Sequence, residues 1–450
     1  MTDVRGASLD CLVRIMDEGQ YSHVVLKEAL EKLQFRDRRD RAFFTRLTEG
    51  VVERALELDY MIDQFSRVRT EKMKPVIREI LRMAVYQIKY MDSVPDSAAI
   101  NEAVKLAAKR KFGNLRGFVN GVLRALLRGM DGIRLPDPET DFPAYAGAVY
   151  SMPSWITETL CAAYGRERTE RILEGGVNER PFSVRMNLSR APEEEILSSL
   201  AGQGIAWEKT EGIPGAYILK GYDSPAGIEA FAGGFLQVQD VSSMLAGLAA
   251  APEKGSLVLD VCAAPGGKSL HAADLMAGTG HVEARDLTEA KVRLIKENTE
   301  RCGFRNVSAR VWDALRPDPE MFGKADVVIA DLPCSGLGII GRKSDIKYKL
   351  TEEGASELAV LQRRILDVVW QYVKPGGRLV YSTCTILPGE NAGNADWFEA
   401  HYPFRPESLD PVLPERFRTE ETKNGRLQLF PGEKGTDGFF IARFVREAGA

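Results

Sequence analysis

Histidine is scarce in this chain, with 4 among 450 residues, so chemistry built on clustered imidazoles is excluded. The six cysteines, Cys11, Cys161, Cys262, Cys302, Cys334 and Cys384, lie far apart and form no CxxC pair and no Cys/His set with ligand spacing. That scatter offers neither a zinc site nor a disulfide framework, so free thiols and no metal are expected. No stretch approaches the roughly 18 uncharged apolar residues of a bilayer span, and the first residues lack the apolar core of a secretion signal. The chain therefore reads as soluble and cytoplasmic, without a membrane partner. Internal repeats and low-complexity tracts are also missing, which excludes a solenoid. A net charge of −4 excludes a uniformly basic nucleic-acid binder. At about 150 residues per domain, the length predicts two or three modules, each able to bury its own core.

The charge is unevenly shared. Residues 1–134 carry 25 Lys+Arg against 19 Asp+Glu, a net +6, and the remainder is net −10. From Asn101 to Arg134, eight basic residues face two acids, a candidate phosphate-contacting surface that composition alone does not separate from a solvated helix face. The same region has helical periodicity. At 115, 118, 119, 122, 123, 126 and 127 apolar residues recur every three or four positions, and Arg116, Arg124 and Arg128 fall outside the stripe. Similar patterns at Ala7–Met16, Val25–Leu33, Phe43–Ala55, Val76–Tyr90 and Ala98–Ala108 predict a helical bundle. The prolines at 136, 138, 143 and 153 mark a linker with room for one short helical piece.

Beyond it, strand patterns at Phe182–Asn187, Tyr217–Lys220 and Phe235–Val238, with a helix opened by Pro192, predict a small mixed module. From Ser256 the pattern alternates. Strands are predicted at Leu257–Cys262, His281–Arg285, Val307–Trp312, Asp326–Asp331 and Arg378–Ser382, with helices between them, the longest over Glu353–Val373, and a last strand at Phe439–Phe444. Such an order implies a mostly parallel sheet whose ligands sit at the carboxyl ends of its strands.

Asp260-Val-Cys-Ala-Ala-Pro-Gly-Gly-Lys-Ser269 follows the first of these strands and precedes a helix. Consecutive glycines admit a ligand close to the backbone, and the helix start offers unpaired N–H groups. The spacing is neither a Walker A loop nor GxGxxG. With Asp286 closing the next strand, where it can accept from ribose hydroxyls, the turn points to a nucleoside-containing ligand. Nicotinamide and S-adenosylmethionine sites share that acid, and the turn does not choose between them. Asp313 and Asp331 follow the third and fourth strands and continue the row of carboxylates.

Cys334, in Asp331-Leu-Pro-Cys-Ser-Gly336, follows the fourth strand, and Cys384, in Tyr381-Ser-Thr-Cys-Thr385, follows the fifth. Adjacent strands lie about 4.8 Å apart, so the two thiols can meet at the functional edge. A thiolate beside a methyl donor suits methylation of a pyrimidine carbon. C5 of cytosine becomes nucleophilic once sulfur adds to C6, and an acid at N3, for which Asp331 is the candidate, relieves the charge that accumulates.

The combination of Cys262-Ala-Ala-Pro-Gly-Gly-Lys268, Asp331-Leu-Pro-Cys334 and Ser382-Thr-Cys384 with Glu390-Asn391 resembles the RNA cytosine-5 methyltransferase (NOL1/NOP2/Sun-like) family. The basic helical region, with Val119-Asn-Gly-Val-Leu-Arg124, resembles the NusB-like RNA-binding domain, and the resemblance covers nearly the whole chain. It implies a multidomain fold: an all-α NusB-like bundle at 1–134, a linker at 135–154, a small α+β module at 155–240 and an α/β Rossmann-like methyltransferase domain at 241–450. The implied activity is methylation of C5 of one cytosine in 16S ribosomal RNA, with S-adenosylmethionine as cofactor. The implied partner is that RNA, naked or within a partly assembled small subunit. Cys384 is implied as the nucleophile and Cys334 as the helper in product release. Cys262, Ala263, Ala264, Pro265, Gly266, Gly267, Lys268, Asp286, Asp313 and Asp331 are implied to hold the cofactor. RNA contacts are expected from Arg116, Arg124 and Arg128 and from Arg342, Lys343 and Lys347 in the Arg342–Lys349 loop. Two departures from the family pattern are Leu332 before the Pro-Cys pair, where Ala is common, and Ser344-Asp-Ile-Lys-Tyr348, where Pro-Asp-Ile-Lys-Trp is common. A transfer RNA substrate is the alternative within the same chemistry. An antitermination-type RNA-binding factor with a vestigial methyltransferase half is the alternative outside it, and retention of both cysteines, the turn and three aspartates speaks against decay.

Overall fold

The structure, a computed structural model, describes residues 3–34, 36–177, 181–222 and 224–448. The chain forms two compact units, Met1–Val177 with Arg342–Thr351, and Asn178–Gly341 with Glu352–Ala450. Among the described residues, no helix is long and apolar enough to cross a membrane.

The first unit is helical. Helices at Val4–Met16, Ser22–Lys32, Arg38–Glu53, Ala55–Phe65, Pro75–Tyr90, Asp96–Lys109 and Arg116–Gly129 pack around one core that includes Leu12, Phe44, Leu81 and Leu123. Local chemistry sets several starts: Asp3 and Asp37 accept from backbone N–H groups of the first turns, and Pro75 occupies a first turn where no donor is needed. On Arg116–Gly129 the buried residues are Val119, Val122, Leu123 and Leu126, while Arg116, Arg124 and Arg128 are exposed.

One expectation changes here. The pattern at Phe43–Ala55 belongs to two helices that break at Arg54, because Ser151 Oγ accepts from Leu56 N (2.8 Å) and Glu57 N (3.2 Å) and caps the second helix from 95 positions away. The short helical piece expected in the proline-rich linker is the helix Phe142–Tyr150, with Asp141 as its cap and Pro143 in its first turn, and two more helices follow at Ser154–Tyr164 and Arg166–Val177.

Arg342–Thr351 completes this unit. Asp345 accepts from Ser22 N (3.0 Å) and Ser22 Oγ (2.6 Å), and Lys349 Nζ donates to the Gln20 carbonyl at 2.6 Å. Tyr348 OH lies 3.0 Å from Ser151 Oγ and donates to the Glu53 carbonyl, which also accepts from Lys347 Nζ at 2.9 Å. The expectation that Lys347 reaches RNA is therefore corrected. Its side chain is buried on the last carbonyl of a helix, where burial pulls its pKa down to about 7, whereas Arg342 and Lys343 are exposed.

The second unit holds two sheets. Strands β1 (Ser183–Met186), β2 (Ala206–Lys209), β3 (Ala216–Lys220) and β4 (Leu236–Val238) form an antiparallel sheet in the order β2-β3-β1-β4. All four residues of β2 are exposed, so no apolar alternation announced it. The larger sheet contains β5 (Leu257–Asp260), β6 (His281–Asp286), β7 (Val307–Val311), β8 (Ala325–Asp331), β9 (Val373–Thr383), β10 (Phe404–Pro406), β11 (Arg426–Leu429) and β12 (Phe439–Arg446). Its order is β10-β12-β9-β8-β5-β6-β7, with β11 paired to β12; β5 to β9 run parallel and β12 antiparallel to β9.

The helix predicted to run to Val373 ends at Val369, and β9 begins at Val373, five residues early, because Lys374–Gly377 bulge out before pairing with β8 resumes at Arg378. Alternation along the strands covers both faces. Val258, Val327, Ile329, Val380 and Ile441 face one core, and Leu259, Val328, Ala330, Leu379 and Tyr381 face the other. After β5 the chain lays down β6 and β7 on one side, then β8 and β9 on the other. The crevice at the carboxyl ends of β5 and β8 is thus the topological switch point, where such sheets bind ligands.

Candidate active site

The Gly-rich turn leaves β5 at this crevice. Gly266 has φ 105°, a conformation that L side chains rarely adopt, and the helix Gly267–Leu275 starts directly after it. The turn is tied to its neighbours: Val261 N donates to the Ile329 carbonyl, Ala263 N to the Arg285 carbonyl, and Ala264 N to Asp286 Oδ2 at 3.0 Å. Asp286 Oδ1 accepts from Leu287 N at 2.8 Å and lies 3.1 Å from Lys291 Nζ. Asp286 thus supports the turn as well as facing the cavity, a second task that spacing did not reveal. Asp313 is exposed and accepts from Leu315 N at 2.9 Å.

A cavity of about 300 Å³ brings these positions together, with Cys262, Ala264, Asp286, Asp313, Asp331, Cys334 and Cys384 all in its walls. Leu287, Trp312, Leu315, Leu361 and Ile365 supply apolar surface that the sequence did not single out. Such a lining, apolar with a few carboxylates at one rim, suits a nucleoside. Burial holds the Cys262 thiol well above the ordinary range, so it stays protonated as part of the wall.

A second cavity, about 210 Å³, shares Cys262, Ala264 and Asp331 and adds Ala263, Pro265, Gly267, Lys268, Asp260 and Gln239. Lys268 Nζ donates to Asp331 Oδ2 at 2.6 Å, and Ser382 Oγ, across the β8–β9 register, donates to Asp331 Oδ1 at 2.7 Å. Both carboxylate oxygens of Asp331 therefore have donors. Lys268 does not lie on the larger cavity; the structure places it on Asp331. Asp260, not among the expected site residues, accepts from Ser269 Oγ at 2.6 Å, and burial raises its pKa to about 7.

Cys334 and Cys384 face each other with Sγ to Sγ 3.3 Å. The hydrogen bond between the two sulfurs, with burial, holds the Cys334 thiol well above the ordinary thiol range. Either sulfur can be the donor of this contact.

Residues 247–445 match the family described as 16S rRNA methyltransferase RsmB/F, residues 2–128 the NusB family, and residues 152–223 the ferredoxin-like domain of RsmF/B-like methyltransferases. The Bacillus subtilis (strain 168) protein named "Probable ribosomal RNA small subunit methyltransferase B" is 38% identical over 98% of this chain and 98% of its own. The chain belongs to the ribosomal RNA small subunit methyltransferase B family. The Synechocystis member of the same name is 32% identical over 95% of each chain. The crystal structure of PH0851 superposes with a TM-score of 0.80 at 26% identity, covering 99% of both chains. In this family member the crevice, the paired thiols and the row of strand-end carboxylates lie within one unit.

Proposed function

We infer that this family member methylates C5 of a cytosine in 16S ribosomal RNA, using S-adenosylmethionine and a transient bond between Cys384 and C6 of the base. The observation that carries the reading is the 3.3 Å thiol pair in the wall shared with Asp286, Asp313 and Asp331. Asp286 and Asp313 suit the hydroxyls and amine of a nucleoside, the apolar wall suits its ring, and the left-handed Gly266 leaves the turn open where a side chain would be strained. Cys262 to Gly267, Asp286 and Asp313 would hold the cofactor, which supplies an electrophilic methyl group. Lys268 and Asp331 would complete the polar wall between the two cavities.

Cys384 adds its sulfur to C6, and the electron pair of the C5–C6 double bond moves to C5. Charge drawn toward N3 would be met by a proton that the Lys268 ammonium supplies through Asp331. C5 would then take the methyl group and give up its proton to solvent water, the electrons of that C–H bond expelling sulfur from C6 as a thiolate while the proton lent to N3 returns through Asp331 to Lys268. Cys334, with its Sγ 3.3 Å from that of Cys384, is placed to stabilise the departing thiolate by a hydrogen bond. Incubating the protein with methyl-labelled S-adenosylmethionine and 16S ribosomal RNA should label the RNA, and bisulfite sequencing should show one protected cytosine that is lost in a deletion strain. Label without bisulfite protection would refute the C5 assignment, and no label would refute the activity.

Two further results are expected. Asp286→Ala strands the Ala264 and Leu287 N–H groups as well as removing a ligand contact, so S-adenosylmethionine affinity should fall by about 1.5–3 kcal/mol, the range for hydrogen bonds to charged groups. Calorimetry should find Asp286→Asn, which keeps one acceptor, nearer to wild type; equal affinity for all three proteins would reject the assignment.

Replacing Arg116, Arg124 and Arg128 together by Gln should flatten the salt dependence of RNA binding by up to about 2 in log–log slope, at about 0.7 per phosphate contact on a single strand. Lys347→Gln should leave that slope unchanged, because Lys347 is buried on the Glu53 carbonyl. An unchanged slope in the triple variant would make the basic face a solvated surface only.

A further inference from the structure

The two thiol-bearing segments meet through Ser335 Oγ and Thr385 Oγ1 at 2.6 Å and through Leu332 N, which donates to the Ser382 carbonyl at 3.0 Å, and side chains from elsewhere hold each of them as well. The peptide groups on both sides of Cys334 are fixed from outside: Ser335 N donates to Glu390 Oε2 at 2.9 Å, and the Pro333 carbonyl accepts from Gln362 Nε2 at 2.9 Å. Gln362 Nε2 also donates to Glu390 Oε2 at 2.8 Å, so the two supports form one unit, and the single hydroxyl proton of Tyr381 has both Gln362 Oε1 and the Glu390 carbonyl within reach. The residues on both sides of Cys384 are fixed by the next side chain along. Thr383 Oγ1 donates to Asn391 Oδ1 at 2.6 Å, and Asn391 Nδ2 donates to the Thr385 carbonyl at 3.0 Å. Glu390 and Asn391 are each 1% exposed, and neither makes a hydrogen bond to sulfur.

We propose that Glu390 and Asn391 are positioning residues that jointly set the gap between the two thiols, Glu390 through the turn that carries Cys334 and Asn391 through the strand end that carries Cys384. Because the two are adjacent in the chain, one peptide unit links the supports. A buried carboxylate and a buried carboxamide suit these tasks. The Glu accepts two N–H groups on one oxygen, while the Asn must accept from a hydroxyl and donate to a carbonyl at once. A displacement of about 1 Å at a reacting atom can cost about a hundredfold in rate, so loss of either support should reach the chemistry without touching it.

The assignment of which thiol fails first rests on the roles given above to Cys384 and Cys334. The test uses the full chain with Glu390→Ala, Glu390→Gln, Asn391→Ala and Asn391→Asp, beside Cys334→Ala and Cys384→Ala. Each is incubated with S-adenosylmethionine and 16S ribosomal RNA and run on denaturing gels. Glu390→Ala should accumulate a denaturant-resistant RNA–protein adduct as Cys334→Ala does, and Asn391→Ala should form little adduct, as Cys384→Ala does. Glu390→Gln, which keeps a carbonyl for Ser335 N, should be restored toward wild type. Asn391→Asp, which keeps the acceptor for Thr383 and loses the donor to Thr385, should fall between Asn391→Ala and wild type.

A second readout needs neither RNA nor cofactor. Diamide takes up the two thiol hydrogens as Cys334 and Cys384 join in a disulfide, and the rate, followed by mass spectrometry of the linked peptide, reports the gap. Both alanine variants should slow it by about tenfold or more, given the steep dependence of such reactions on proximity. Unchanged disulfide rates in variants that melt like wild type would overturn the proposal, as would equal loss of adduct in Glu390→Ala and Asn391→Ala. If the two cysteine variants themselves fail to differ, the covalent reading has failed, and the disulfide rates still decide the positioning role.

Discussion

Cys384→Ala is expected to abolish methyl transfer and to leave no RNA–protein adduct, whereas Cys334→Ala is expected to retain methyl transfer and trap the adduct. The two thiols stand 3.3 Å apart at the ends of neighbouring parallel strands, so position alone does not separate them. Their proton does. Cys334 is held well above the ordinary thiol range by its contact with Cys384 and by burial, so little of it is thiolate and it is the poorer candidate for attack. Removing the attacking sulfur should bring turnover to background, a loss of about 10⁶ where other catalytic nucleophiles have been removed. Removing Cys334 leaves the attack intact but leaves the departing thiolate without its nearest hydrogen-bond donor, so the bond to C6 persists through denaturation. An adduct that forms without Cys384 and vanishes without Cys334 would reverse the roles. Full activity in both variants would make the sulfurs structural.

The strand ends were legible because their signals are local. Leu257–Asp260, Ala325–Asp331 and the end of β9 are runs of apolar residues closed by Asp, Pro, Cys and Gly, and a parallel sheet gathers all its carboxyl ends at one edge. What was not legible depends on partners distant in sequence. The break at Arg54 is made by Ser151, the burial of Lys347 by Glu53, and the start of β9 at Val373 by pairing with Ala325 across a bulge. The Arg342–Lys349 loop looked basic and exposed because nothing local shows Asp345 reaching Ser22. Within the site, the sequence placed Lys268 with the cofactor turn, but its ammonium faces Asp331, 63 positions on, a pairing set by the β5–β8 adjacency. Glu390-Asn391 was visible as part of a motif, whereas its division of labour between two loops needed the fold.

Asp331→Asn should lower kcat by about 10²–10⁴, the range for loss of a positioned proton donor or acceptor, with a smaller effect on cofactor affinity. The substitution is nearly isosteric, and its amide oxygen can still accept from Ser382 Oγ, so the β8 end should stay in place. Its amide nitrogen would then meet the Lys268 ammonium, donor against donor, and no proton can pass from Lys268 through this position to N3 of the base. Adding Lys268→Met removes that repulsion and the stranded charge. If Lys268 and Asp331 share one proton, the double variant should melt at a higher temperature than Asp331→Asn and yet turn over no faster, because residues acting as a unit do not add. Rapid-quench measurement of adduct formation then locates the loss at the addition step, before C5 takes its methyl group. Recovery of turnover in the double variant would mean that Asp331 serves only to neutralise Lys268. An Asp331→Asn enzyme within tenfold of wild type would remove this carboxylate from the chemistry and assign N3 to another donor in the same cavity.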